Sequence, residues 1–140
     1  MTAAEIIDRL ALQRHPEGGW FRETWRATAP TGRASGTCIF FLLAEGEASH
    51  WHRVDATEIW HYHAGAPLLL SLSPDEQGPA RDHLLSPDLS EGLPQLIVPD
   101  HHWQAARSTG AYTLVSCTVS PGFDFAGFTL APPGFDIPRA

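Results

Sequence analysis

Six of the eight histidines fall in two short stretches, His50, His52, His61 and His63 in one, His101 and His102 in the other. Ser49-His50-Trp51-His52 sets two imidazoles two residues apart, and in a strand that spacing points both to one face. Such a pair suits a metal ion, or supplies a donor and an acceptor to a polar ligand. Asp55-Ala56 reads as a hairpin turn that brings Glu58 back beside the imidazoles. Alternation then adds Trp60 and Tyr62 to the Glu58 face and sends Ile59, His61 and His63 to the other. The expected pocket therefore has His50, His52 and Glu58 as its proton-handling groups, with the Tyr62 hydroxyl as an acid or hydrogen-bond donor. Trp60 is expected against the ligand, and of Arg22 and Glu23, on opposite faces of the next strand, one is expected to line the cavity, with Arg22 as the candidate ligand contact. His61 and His63 are expected in sheet packing or a subunit contact, and His101 and His102 in a solvated loop or at the rim.

These side chains need strands to aim them, and the chain supplies strands. Thr2-Ala-Ala-Glu5 matches a capping box, and Ile6, Ile7, Leu10 and Ala11 share one helical face, so a short helix ends before His15-Pro16. Beyond it, short runs rich in aromatic and β-branched residues recur between Gly, Pro, Asp and Ser clusters. They are Trp20 to Ala27, Thr37 to Leu43, Ser49 to Val54, Thr57 to His63, Leu68 to Ser73, Asp82 to Leu85, Gln95 to Val98, Trp103 to Arg107, Tyr112 to Val119 and Phe128 to Leu130. With no helices alternating between them, these runs predict an all-β sandwich or barrel. The expected organisation is one domain over 1–140: helix 1–14, barrel 15–131 and tail 132–140. The proline-rich tail is expected to be a surface strap or a mobile end.

The formal charge is −7, and no cluster of Lys or Arg interrupts the scattered acids. Nucleic acid and anionic membranes are therefore excluded as expected partners, since both require a concentrated basic face. No apolar run is long enough to span a bilayer. The N-terminal residues lack a secretory pattern, and Cys38 and Cys117 sit in strand-like runs as two buried thiols, so the expected location is the cytoplasm.

The order Gly46, His50, His52, Glu58, Gly65, with six residues between the last two, resembles the first motif of the cupin superfamily. The spacer after Gly46 is shorter than in that motif, and five residues separate His52 from Glu58. Val98-Pro-Asp-His-His-Trp-Gln104 resembles the second motif, with Gln104 where the fourth ligand histidine is expected and Ser108 where the Asn is expected. More closely, His15-Pro-Glu-Gly-Gly-Trp20, Ser49 to Asp55, Glu58 to Gly65, Val98-Pro99 with Trp103-Gln-Ala105, and Pro121-Gly-Phe-Asp-Phe125 resemble one cupin subfamily of domains of unknown function, known as cupin-5. The resemblance implies a cupin-type double-stranded β-helix, or jelly-roll barrel, commonly a homodimer and related in shape to the deoxysugar epimerases. It also makes Gln104 and Asp124 candidate ligand contacts, although Asp124 equally suits turn stabilisation. Any metal would be held by His50, His52, Glu58 and Gln104, and the expected cofactor is either none or one divalent ion.

Three functions fit this reading. The first is an epimerase or isomerase acting on a sugar-like or other small polar metabolite; the others are a metal-dependent, dioxygenase-like enzyme and a non-catalytic module that binds a small metabolite.

Overall fold

A computed structural model describes residues 1–139 of the chain. Helix α1 spans Ala3–Arg9, and its Thr2 cap and Glu5 form the capping box read from the sequence. Eleven strands follow: β1 Gln13–Arg14, β2 Trp20–Arg26, β3 Thr37–Ala44, β4 Ala48–Val54, β5 Thr57–Gly65, β6 Leu68–Ser73, β7 Arg81–Leu85, β8 Gln95–Val98, β9 Trp103–Ser108, β10 Tyr112–Ser120 and β11 Phe128–Leu130. All pair antiparallel, in a six-stranded sheet ordered β1-β2-β3-β10-β5-β8 and a five-stranded sheet ordered β11-β4-β9-β6-β7. The two sheets form the expected jelly roll.

The space between the sheets divides into an apolar part and a polar part. Phe41, Leu43, Trp60, Leu68, Leu70, Leu85, Val98 and Val115 fill the first as a dry core. The Phe41 and Trp60 rings meet edge to face at 5.7 Å, a geometry favoured by the ring quadrupoles. On the outer side of the six-stranded sheet, Ile6 and Leu12 from the helical segment cover Leu42.

The two-residue strand β1 was not anticipated, and it matters because it starts the turn that enters the barrel. Gly18 and Gly19 have φ of +108° and +79°, the region that favours glycine. A side chain at Gly18 would collide with the Ala48 carbonyl, and one at Gly19 with Phe41 and Leu43. The backbone is thereby drawn tightly against β3 and β4.

Residues 132–139 of the predicted tail form a strap, and Ala140 lies outside the described residues. Trp51 Nε1 donates to Asp136 Oδ1 at 2.9 Å, and Ile137 is wholly buried among Trp51, Ala80, Trp103 and Ala131 on the outer side of the five-stranded sheet. Ile137→Ala should therefore destabilise the fold by about 2–5 kcal/mol, as for other large aliphatic truncations at sealed sites. Urea unfolding checks this, and a loss below about 0.5 kcal/mol would show the strap to be dispensable.

Candidate active site

Beside the apolar core lies a cavity of about 70 Å³ lined by His15, Glu17, Phe21, Glu23, Arg26, Thr37, Ile39, His52, Val54, Glu58, Cys117, Val119, Phe123 and Phe125. Strand alternation brings Glu58 in from β5 and His52 in from β4, both deeply buried. Glu17 comes from the glycine-rich turn, which inserts its carboxyl between two imidazoles. Its Oε2 lies 3.5 Å from His52 Nε2, and its Oε1 lies 3.3 Å from His15 Nδ1.

Hydrogen bonds fix the tautomers. The Glu17 amide donates to His15 Nδ1 at 3.1 Å, so in the neutral ring the proton resides on Nε2. His52 Nδ1 donates to the His50 carbonyl at 2.7 Å, leaving Nε2 with its lone pair toward Glu17. Ser49 Oγ donates to Glu17 Oε2. A protonated Glu17 thus has basic nitrogens beside each oxygen.

Burial sets the protonation states. It pushes the Glu17 carboxyl up to about 8, against the opposing Ser49 hydrogen bond. Burial likewise raises Glu58 to about 7; the charge of Glu17 adds to the rise, while His52, Gln104 and the Cys117 thiol work against it. Burial lowers His15 to about 4, aided by His52. It also lowers His52, although the nearby Glu58 pulls the other way. At neutral pH burial thus favours the protonated form of Glu17 and the neutral form of both imidazoles, and it brings Glu58 into the neutral range.

Gln104 stands beside this cavity at 1% exposure. Trp60 Nε1 donates to its Oε1 at 2.9 Å, and its Nε2 donates to Glu58 Oε1 at 2.8 Å. At the mouth, Phe123, Phe125 and Phe128 meet edge to face, with centroids 4.8–5.8 Å apart. Arg26 ties Glu23 to the Phe123 carbonyl there, at 2.8 and 3.0 Å.

Five predicted site residues lie elsewhere. Trp60, expected against the ligand, faces inward but belongs to the dry apolar core and does not line the cavity. His50 does not share a face with His52, because β4 carries one extra residue between Ser49 and His52 relative to its β9 partners Ala106 and Gln104. This bulge turns both His50 and Trp51 outward, and His50 Nε2 bonds the Pro132 carbonyl of the strap at 2.9 Å. Tyr62 does face inward, but it packs on the apolar core and its hydroxyl donates to the Gly65 carbonyl at 2.6 Å. Arg22 is on the outer face of its sheet, 5.8 Å over the Phe40 ring, whereas Glu23 and Arg26 line the cavity. Asp124 is exposed and caps a short 3₁₀ turn by accepting from the Ala126 amide at 3.0 Å. His61 and His63 lie on the outer face as expected, bonded to Thr118 and Ser116. His101 is exposed beside Asp100, in the positive-φ region.

The sequence reading missed Glu17 and His15. Both belong to the His15-Pro-Glu-Gly-Gly-Trp20 segment, which carried the family resemblance but no expected site residue. The available signal was a carboxylate and an imidazole flanking a proline just before paired glycines, a loop built for close approach.

Two antiparallel sheets wrapped round a polar cavity define a barrel of the cupin type. The chain belongs to the cupin superfamily, in the family described as Cupin superfamily (DUF985), whose model matches residues 4–131. It is similar to a hypothetical protein from Leishmania major, at TM-score 0.86 and 32% identity over 96% of this chain and 90% of that one. A protein from Shewanella oneidensis matches at TM-score 0.87 and 38% identity, over 94% and 85% of the two chains. Oxalate decarboxylase from Bacillus subtilis shares the fold at TM-score 0.64 and 14% identity, over 84% of this chain and 29% of that one. No curated protein matches.

Oxalate decarboxylase has Mn(II) centres. The predicted ligand set His50, His52, Glu58 and Gln104 does not fit such a centre in this chain. His50 is outside the barrel, and the Gln104 oxygen, its only ligating atom, accepts from Trp60. Among the described residues no three His, Cys, Asp or Glu side chains converge as a metal site. Nor is any helix among them long and apolar enough to cross a membrane.

Proposed function

We propose that the cavity is an acid–base site for a small polar metabolite of the sugar-like, hydroxycarbonyl kind, and that it catalyses isomerisation or epimerisation. The observation that carries this reading is the pair of buried carboxyls, Glu17 and Glu58, lining one small cavity, with the His52 lone pair facing Glu17. Burial raises both carboxyls toward the neutral range, and the N–H that Gln104 donates to Glu58 favours its ionised form, which makes Glu58 the base and Glu17 the acid. Glu58, partly ionised at neutral pH, accepts the proton from the carbon beside the carbonyl. Protonated Glu17 donates a hydrogen bond to the carbonyl oxygen as negative charge develops there. Glu58 then delivers the proton to the neighbouring carbon, while Glu17 gives its proton to the former carbonyl oxygen and recovers one from the neighbouring hydroxyl, which yields the isomer; an epimer forms instead when the planar intermediate turns over before Glu58 returns the proton to the original carbon. The aromatic mouth and apolar walls exclude bulk water, which strengthens each of these interactions.

The same reading makes the protein a cytoplasmic homodimer. Free thiols at Cys38 and Cys117 suit a reducing compartment. The outer face of the six-stranded sheet carries half-buried Phe40 and exposed Ile97 beside His61 and His63, a surface fitted to a second copy.

The test is deuterium wash-in. A panel of small hydroxycarbonyl compounds, dihydroxyacetone, glyceraldehyde, erythrulose and xylulose, is incubated with the protein in deuterated water and followed by proton NMR. Protein-dependent loss of the signal next to the carbonyl is expected for at least one member. No exchange with any of them overturns the catalytic reading.

A further inference from the structure

We propose that Gln104 is a positioning residue, oriented by Trp60 so that its amide always offers an N–H to Glu58. The inference rests on Glu58 being the proton acceptor argued above, and it assigns Gln104 a task other than ligation.

An indole N–H can only donate. Trp60 Nε1 therefore requires an oxygen opposite it, and the Gln104 Oε1 at 2.9 Å supplies one. That choice fixes the other end of the amide, whose Nε2 donates to Glu58 Oε1 at 2.8 Å. All three side chains are buried, at 1%, 1% and 7% exposure for Trp60, Gln104 and Glu58, so water cannot replace a lost partner. Turning the amide over would set an N–H against an N–H at Trp60 and a carbonyl against a carboxylate at Glu58. Both contacts are repulsive, and in a dry site neither is relieved by solvent. Trp60 thus acts on Glu58 without touching it.

The chemical value of the arrangement follows from what burial alone would do. A carboxyl in this cavity without a donor would hold its proton far into the alkaline range and could not act as a base. A hydrogen bond to the ionised form counteracts that effect, and it comes from a neutral group that cannot itself take the proton away. The Cys117 thiol is a second donor to Glu58 and works in the same direction as Gln104.

The experiment follows the Glu58 side-chain carbon by NMR through a pH titration, using full-length protein in chelator-treated buffer. Gln104→Leu should raise the Glu58 midpoint by about one to two pH units, the size expected for loss of a hydrogen bond to a charged group. Trp60→Phe should raise it too, by less, because the amide is then free to turn. Gln104→His should restore it toward the parent value, since a neutral imidazole can accept from Trp60 at one nitrogen and donate to Glu58 from the other. In the unaltered protein the Trp60 indole proton resonance should shift with the same midpoint as Glu58. That measurement decides the matter even if a variant fails to fold. Midpoints unchanged in Gln104→Leu and Trp60→Phe, or an indole resonance indifferent to Glu58, would overturn the proposal. Absence of deuterium exchange, by contrast, bears only on the proposed catalysis.

Discussion

Glu58→Gln should reduce deuterium exchange into a responsive hydroxycarbonyl compound by roughly two to four orders of magnitude, the usual worth of a positioned general base. The substitution is nearly isosteric, and the new amide can still accept from Gln104 Nε2 through its oxygen. What is lost is the only group in the cavity poised near neutrality to take a proton from carbon. His15 and His52 are neutral and available in principle. However, His15 Nδ1 already accepts from the Glu17 amide, and the His52 lone pair faces Glu17. Two controls make the outcome specific. His50→Ala and Tyr62→Phe should leave exchange within about twofold, because one imidazole lies outside the barrel and the other side chain is bonded to the Gly65 carbonyl. Exchange that survives Glu58→Gln would move the base to another group and end this mechanism.

Much of the architecture was legible because strand parity and turn chemistry are local. The ten anticipated strands agree with β2 to β11 to within a residue or two at each end, and the helix start follows from Thr2 and Glu5 alone. Parity also placed Glu58, Trp60 and Tyr62 inward and His61 and His63 outward. It failed at His50 because a β-bulge shifts parity by one residue, and nothing in Ser49-His-Trp-His52 announces it. The cause is tertiary. The His50 amide donates to the Glu17 carbonyl, the Trp51 carbonyl accepts from Ala131, and Trp51 Nε1 reaches Asp136. The turn and the strap together hold the irregular stretch, and those partners lie 33 to 85 positions away in sequence. Glu17 escaped for a related reason, since the inward reach of a turn depends on which strand it closes against. Arg22 and Asp124 show the reverse error, in which a charged residue near a quoted motif faces solvent. The histidine cluster thus contributes one imidazole to the cavity, and Glu17 and His15, which join it there, come from a segment that carried only the family resemblance.

The buried acids should also give the fold an uncommon pH dependence: it should lose stability as the solution becomes mildly alkaline. Glu17 and Glu58 bind protons more tightly in the folded chain, at about 8 and about 7, than at their ordinary value of 4.5. Their contribution is fully present below pH 4.5 and is lost as pH rises through the folded values, because above 4.5 the unfolded chain sheds protons that the native state retains. His15 acts in the opposite sense. With its folded value near 4 against 6.5, it favours the native state above 6.5 and withdraws that support as pH falls toward 4. His52, lowered by burial, works in the same direction as His15. Between pH 4.5 and 6.5 the carboxyls and imidazoles largely offset one another, but above 6.5 the carboxyls dominate, because the imidazoles have only the last half of their unfolded-state titration left. Urea unfolding should therefore show a net loss of about 1–2 kcal/mol between pH 6.5 and 8. Glu17→Gln, which keeps the shape and removes the titrating proton, should be nearly flat above pH 7 and should exceed the parent in stability at pH 8. A parent curve that stays level or rises across this window would mean that Glu17 and Glu58 are already ionised in the folded protein, and the division of acid from base would fail with it.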